Sequence, residues 1–383
     1  MDKPTVQDIF HRFYPAYLDQ YSPSPVQAKV AHNIMNCKTG AYGANVCVCE
    51  DCGFVQIHYN SCRNRCCPMC QAVLKEMWMD ARREDVLDAP YFHLVFTVPD
   101  ILNPVIYSNQ RLLYDALYHA ASSTISELTA DPKHLGAKVG YICILHTWGS
   151  EMNFHPHIHT ILLGGGLASN NQWKDNGENF FLPIRVISKM FRGKYLEELK
   201  RLWEEDKLVF HGTAEKFRNH YTFKELLDSC YGMDWIPHCK KTFNGAQTVI
   251  KYLGKYTHRI AVSNHRIVRM DDDTVTFLVK DYRNEGQWKE LTISGVEFVR
   301  RFLMHVPPRR FVRIRHYGLL CSRTKSQKLT LCRNLLGCKK YLSKLRDMEM
   351  PEILEHLYGI KVCVCKACGG HLGKPQMRMP LRC

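Results

Sequence analysis

Two strand-like runs separated by only four polar residues constrain this chain more than any other feature. Lys138–Gly149 and His155–Gly164 are both rich in aliphatic and β-branched residues, and Ser150-Glu-Met-Asn153 lies between them. So short a connection predicts an antiparallel hairpin. Side chains alternate across a strand, so His157 and His159 share one face while Ile158 points to the opposite core. Two imidazoles so placed can converge on one metal ion. With the loop at 150–153, His146 falls opposite His157 with Cβ atoms roughly 5 Å apart, which makes it a candidate third ligand. His155 has the same parity, but Pro156 puts it at the strand's start, where it supports the site or contacts a substrate. A lone His-x-His is more often structural or incidental. If metal-binding, three protein ligands and an open position also fit a zinc hydrolase.

The rest of the chain mixes helices and strands. Tyr91–Pro99 reads as a strand, about 103–129 and much of 184–229 as helix, and Val275–Lys280 with Trp288–Ile293 as a second strand pair around Asn284-Glu-Gly286. A helix over 71–88 is expected to bury Leu74 and Trp78, and another over 244–257 carries Tyr-Leu-Gly-Lys-Tyr-Thr-His-Arg at 252–259. On a continuous helix Tyr252, Lys255, Tyr256 and Arg259 form one stripe. A phenol with a pKa near 10 is a weak nucleophile until a cation, base or metal stabilises its anion, and Lys255 and Arg259 supply positive charge. Taken without the histidines, the tyrosines read as aromatic packing. Taken with them, they point to a metal-assisted tyrosine nuclease acting on DNA.

Charge narrows the partner. A net charge of +15 and a pI near 9.0 call for a polyanion. No apolar run approaches the roughly 20 residues that span a bilayer, and the N-terminus lacks a secretory signal, so a cytoplasmic, nucleoid-associated protein with no membrane partner is expected. Between Arg300 and Lys340 there are twelve Lys/Arg and no Asp or Glu, a density that binding to phosphates would relieve. Arg309, Arg310, Arg313 and Arg315, interleaved with Phe311 and followed by Tyr317, suit contacts to a DNA backbone and stacking on single strands. No Gly-x4-Gly-Lys-Ser/Thr loop is present, so duplex opening is assigned to host replication or helicase functions.

Eight of the eighteen cysteines fall within residues 37–70. In a large chain without a signal, that clustering reads as zinc rather than disulfides. Cys49-x-x-Cys52 and Cys67-x-x-Cys70 have the spacing that presents paired thiolates to a tetrahedral ion, with Cys37, Cys62 and Cys66 available to complete one or two structural sites. The module would present Arg63 and Arg65 to DNA. Near the other end, Cys363-x-Cys365-x-x-Cys368 with His371 is either a second knuckle or a set of free thiols on a loose tail.

Taken together, Tyr59-Asn-Ser-Cys-Arg-Asn-Arg-Cys-Cys-Pro-Met-Cys70, Phe92-His-Leu-Val-Phe-Thr-Val-Pro99, Leu145-His-Thr-Trp-Gly149, His155-Pro-His-Ile-His159, Tyr252-Leu-Gly-Lys-Tyr-Thr-His-Arg259, Glu297-Phe-Val-Arg-Arg-Phe-Leu303 and Arg313-Ile-Arg-His-Tyr-Gly-Leu319 resemble the two-tyrosine HUH rolling-circle transposases of the insertion-sequence family numbered ninety-one. The resemblance implies an α+β fold, with an HUH endonuclease core (an antiparallel sheet flanked by helices), an N-terminal zinc-binding module and a basic C-terminal region. Boundaries are expected at 1–75, 76–270 and 271–383. It implies Mg²⁺ or Mn²⁺ on the histidines, Zn²⁺ on the N-terminal cysteines, and Tyr252 and Tyr256 as nucleophiles that form 5′-phosphotyrosine links and release 3′-hydroxyls. Asn45 and Cys66 stand where that family usually has histidine, so either Cys47 compensates or that metal site is altered. A plasmid or phage replication initiator or relaxase shares the same chemistry, and a zinc-dependent DNA binder without catalysis is the remaining alternative.

Overall fold

The computed structural model describes residues 3–175, 182–235, 237–243, 248–249, 254, 260–281 and 285–378. Helices α1 (Val6–Gln20) and α2 (Pro25–Met35) lead in, each started by a capping box, Thr5 with Asp8 and Ser24 with Gln27. Strands β1 (Ala44–Val48) and β2 (Val55–Tyr59) follow, then α3 (Gln71–Arg83) and β3 (Tyr91–Thr97). Beyond α4 (Asn103–Ser108) and the long α5 (Gln110–Ala130) come β4 (Lys138–Trp148), β5 (Phe154–Leu167) and the short β6 (Trp173–Asp175). Then α6 (Ile184–Glu204), α7 (His220–Gly232) and β7 (His238–Phe243) precede the meander β8 (Ile267–Met270), β9 (Thr274–Asp281) and β10 (Gln287–Ser294). A helix at Gly295–Met304, strand β11 (Ile314–Gly318), helices at Lys325–Leu336 and Met350–Tyr358, and β12 (Gln376–Arg378) complete the order. The fold is α+β, with antiparallel sheets flanked by helices.

The main sheet runs β11-β4-β5-β3-β7, with β6 attached to β5. Its two faces are chemically different. One carries Tyr141, Cys143, Leu145, Ile158, Leu162, Phe92, Leu94 and Phe96 into an apolar core made with α5 and α6. On the other, Ile142, Ile144, Ile161, Leu163 and Tyr91 pack with Trp78 and Met79 of α3 and with Val249. That second face turns polar at one end, where His93, His146, His157 and His159 replace the aliphatics. Strand β5 continues to Leu167, past the expected end at Gly164. Its glycines are required there, because a Cβ at Gly166 would strike the Lys138 carbonyl and one at Gly165 the Trp173 ring.

A second core joins α1 and α2 to Ile260–Val262, β8, β9 and the helix at Gly295–Met304. Phe10 meets Phe302 edge-on at 5.2 Å between ring centroids, and Phe277 meets Phe298 at 5.6 Å. The packing therefore crosses both expected boundaries, at residues 75 and 270. The chain ends cross them too, since β12 adds to the β1–β2 hairpin through Asn45 opposite Met377. Leu74 departs from its expected role: it is 39% exposed, and α3 instead buries Asp80.

Candidate active site

Antiparallel pairing sets the histidine constellation. In the β4–β5 ladder His146 lies opposite His157 and Ile144 opposite His159, while β3 places Val95 opposite His159 on the other side. The ligand-capable nitrogens of His146, His157 and His159 all lie within 4.8 Å of one another, and the three residues are 4–8% exposed. His157 Nε2 and His159 Nε2 are 3.0 Å apart. Two nitrogens held ~2.1 Å from one cation and ~90° apart are separated by ~3.0 Å, so the pair fits a shared ion.

Each imidazole is oriented from behind. His157 Nδ1 lies 2.6 Å from the His155 carbonyl and donates to it, which leaves Nε2 with its lone pair facing the cluster. His159 Nδ1 is 2.9 Å from Nε2 of His93, a buried histidine on β3. Trp148 stacks on His146 with ring centroids 4.4 Å apart. Burial first, then the neighbouring His155, pushes the His157 pKa down to about 4. Burial likewise holds His159 well below its usual range, helped by His146 and His157. The buried pair is neutral at pH 7, the form that ligates.

The loop between β4 and β5 is locked by the second core. Arg266 Nη2 donates to the Ser150 carbonyl at 2.6 Å, Arg301 Nη1 to the Glu151 carbonyl at 2.9 Å, and His305 Nε2 to the Met152 carbonyl at 3.0 Å. Three successive carbonyls are thereby satisfied, and the hairpin register that aligns the histidines is fixed. The same docking builds a cleft of about 590 Å³ over them, walled by Trp148, Arg266, Lys280 and Trp288. The Trp288 ring is 54% exposed, with Lys280 Nζ 5.4 Å and the Arg266 guanidinium 5.7 Å from its centre. His155 is near Asp100, 3.3 Å away, at the rim.

Tyr252, Lys255, Tyr256 and Arg259 lie outside the described residues. Their described neighbours, Val249 and Gly254, both meet α3-side groups. Val249 belongs to the apolar cluster on the histidine-bearing face of the sheet, and Gly254 abuts Met79 and Lys75 of α3.

The cysteines divide differently from expectation. Cys37, Cys62, Cys67 and Cys70 converge with all sulfurs within 4.8 Å, and Cys62 and Cys70 are 3.8 Å apart. A tetrahedron with ~2.3 Å metal–sulfur bonds has an edge of ~3.8 Å, so the set fits zinc. The other thiols hold Cys70 in its ionised form, Cys62 foremost, while Cys67 is pushed up. Cys66, also expected as a ligand, is not a member of this set. It is buried in the second core ahead of the Cys67–Cys70 turn, near the guanidiniums of Arg313 and Arg65. Cys49 and Cys52 also fall outside this set and lie beside Cys365 and Cys368. Asn45 bonds Asn60 at 3.0 Å and takes no part in either group, nor does Cys47.

Of the expected DNA-contacting arginines, Arg63, Arg65, Arg309 and Arg310 are exposed. Arg65 and Arg315 have structural partners as well. Arg65 donates to the Phe311 carbonyl at 2.5 Å, and Arg315 pairs with Asp115 while lying 4.0 Å over the Tyr118 ring. Arg313 is half-buried, and burial lowers its pKa. Phe311 is 1% exposed against Tyr114, and Tyr317 stacks on Tyr141 at 5.2 Å, so neither offers an open stacking face. An open aromatic at the histidine cleft is Trp288, which sequence reasoning missed. So was His93, although a lone imidazole within Tyr-Phe-His-Leu-Val-Phe was a legible signal.

Comparison with known proteins bears on this geometry. The family described as "Putative transposase" matches residues 140–328, and "Transposase zinc-binding domain" matches residues 9–98. The chain is 40% identical over 369 residues, 95% of its length and 93% of the relative's, to "Putative transposase y4qJ" of Sinorhizobium fredii. The chain belongs to the IS91 transposase family. This transposase is also 30% identical over 309 residues to the transposase for insertion sequence element IS801 of Pseudomonas savastanoi pv. phaseolicola, covering 79% of this chain and 72% of that one. Its N-terminal region is the family's zinc-binding domain, to which the Cys37, Cys62, Cys67 and Cys70 set belongs. A likeness to the conjugative relaxase TrwC in complex with oriT DNA, at TM-score 0.25 and 12% identity over 43% of this chain and 71% of that one, is too slight to carry an argument. Among the described residues of the transposase, no helix is long and apolar enough to cross a membrane.

Proposed function

We propose that this transposase nicks and joins single-stranded DNA through 5′-phosphotyrosine intermediates and so moves its insertion sequence by a rolling-circle route. The observation that carries the reading is the convergence of three buried imidazoles on the sheet face that also receives Val249, just ahead of the two-tyrosine segment. His157, His159 and His146 would hold a divalent cation. When bound, that cation polarises a non-bridging phosphate oxygen and stabilises charge developing in the transition state. An all-nitrogen donor set matches Mn²⁺ better than Mg²⁺, which prefers oxygen.

The remaining steps belong to the chain's own groups. Tyr252 or Tyr256 attacks phosphorus with its phenolate oxygen, the tyrosine–phosphorus bond forms, and the bond to the 3′-oxygen breaks. That oxygen leaves with the electron pair and takes up a proton, giving a free 3′-hydroxyl. Lys255 and Arg259 favour the phenolate. Joining is the reverse displacement, with a 3′-hydroxyl attacking the phosphotyrosine, so it needs no external energy source. Two nucleophiles let a second strand be cut while the first link is kept. Trp288, Lys280 and Arg266 form a wall suited to a splayed base and its phosphate. Arg63, Arg309 and Arg310 hold the flanking backbone. Host replication or helicase functions supply the single strand at the nucleoid.

The test is covalent capture. Purified protein, Mn²⁺ and a single-stranded element-end oligonucleotide should yield a denaturation-resistant adduct, at lower metal concentration with Mn²⁺ than with Mg²⁺. Tyr252→Phe and Tyr256→Phe should each reduce the adduct and together abolish it. An adduct of undiminished yield in the double variant overturns the assignment.

A further inference from the structure

We propose that Cys49, Cys52, Cys365 and Cys368 hold a second zinc ion, assembled from opposite ends of the chain. The four sulfurs lie within 4.8 Å of one another, although 319 residues separate Cys49 from Cys368. Cys49 is 3.6 Å from Cys368 and Cys52 is 3.8 Å from Cys365. These spacings match the ~3.8 Å edge of a tetrahedral thiolate site.

The two halves are built alike. In the first, the Cys49 amide bonds the Phe54 carbonyl at 2.9 Å and the Gly53 amide bonds the Cys49 carbonyl at 3.1 Å. In the second, the Cys365 amide bonds the Gly370 carbonyl at 2.8 Å and the Gly369 amide bonds the Cys365 carbonyl at 3.0 Å. Each turn needs a residue at positive φ one place after its second cysteine, and glycine supplies it, Gly53 at 71° and Gly369 at 79°. Backbone amides also aim at sulfur in the second turn, Ala367 to Cys365 and Gly370 to Cys368, both at 3.4 Å. Amides so placed stabilise thiolates, which thiols become by giving up protons on binding metal.

The surroundings leave the other candidate ligands out. His371 faces Glu50, 3.6 Å away, and Cys363 and Cys47 are not within the set. Around the site, Cys49 bridges Leu372, and β12 pairs with β1. The buried cluster here, Cys47, Cys49, Cys365 and Leu372, is little apolar mass with which to anchor a chain end, and a structural ion supplies what so small a core cannot. The ion would clasp the C-terminal segment to the N-terminal hairpin, closing the zinc-binding domain with residues from beyond its matched range of 9–98.

Zinc content of the purified full chain decides this. Elemental analysis should give two zinc ions per chain, and Cys365→Ser/Cys368→Ser should give one, while Cys363→Ser and His371→Ala keep two. One zinc in the unaltered chain, or two in the double variant, overturns the site. A second measurement stands even if the double variant folds poorly. With a protease site inserted at the exposed residues 359–361, the cleaved C-terminal fragment should co-elute with the body in zinc and separate on chelation. Co-elution that survives complete zinc removal, or Cys49–Cys368 and Cys52–Cys365 recovered as disulfides from freshly purified protein, refutes the proposal.

Discussion

Gly254, between the two tyrosines, offers a way to move them without altering their chemistry. It is buried against α3, where an added Cβ would overlap the Met79 sulfur and lie 3.0 Å from Met79 Cγ and 3.3 Å from Lys75 Cε. The overlap requires a displacement on the order of 1 Å, and overpacking of this kind costs about 1–3 kcal/mol. Alanine's better helix propensity returns about 1 kcal/mol. Gly254→Ala should therefore change stability by no more than about 2 kcal/mol. Catalysis is far less forgiving, because a misplacement of about 1 Å in a reacting group can cost about 100-fold in rate. The assay is the single-turnover rate of adduct formation on an element-end oligonucleotide with Mn²⁺, with thermal melting run alongside. Gly254→Ala should slow the adduct about 100-fold with little change in melting. In a Met79→Ala background, where the obstructing sulfur is gone, the same substitution should cost only a few-fold. Wild-type rates in Gly254→Ala, or the same loss in both backgrounds, would show that the α3 contact does not position the nucleophiles.

Three further outcomes are expected. His305 is 3% exposed, donates to the Met152 carbonyl and accepts from the Thr147 hydroxyl, and burial foremost lowers its pKa to about 4. Its folded value lies below the unfolded one of about 6.5, so the unfolded chain takes up more protons between the two. Stability is then full above pH 6.5 and falls by about 3 kcal/mol as pH drops toward 4, a slope that urea titrations should find shallower in His305→Gln. The Asp80 carboxylate accepts from the Tyr341 hydroxyl at 2.7 Å, the Ser343 hydroxyl at 2.6 Å and the Leu345 amide at 2.9 Å. Burial opposes its ionisation, yet those bonds, Ser343 foremost, hold its pKa below the usual range. Asp80→Ala strands three donors and should cost about 3 kcal/mol in unfolding free energy, with faster exchange of the Leu345 amide; unchanged exchange would show that Asp80 does not anchor residues 341–345. Trp288→Ala should weaken single-strand binding about 10-fold, with Trp288→Phe restoring most of it, and equal affinities for all three proteins would leave the cleft wall without a role.

Local chemistry determined much of this protein without reference to its fold. Period-two alternation around a four-residue loop was enough to pair β4 with β5 and to set His146 across from His157, because a one-residue slip would turn every core side chain outward. Cys-x-x-Cys spacing announced thiolate turns, and the charge announced a polyanionic partner. What spacing could not decide was which turns meet. Cys49 and Cys52 join Cys365 and Cys368, while Cys66, one residue before a ligand, points into apolar packing beside Arg313. The expected DNA-contacting arginines show the same limit, since Arg315 is taken up by Asp115 and Arg65, though exposed, donates to the Phe311 carbonyl, while the cleft over the histidines is walled by Trp288. A sequence records what each residue can bond to. Which partner it finds depends on long-range packing among many similar candidates, and only the tertiary structure brings His93 behind His159 and the chain's two ends to one set of sulfurs.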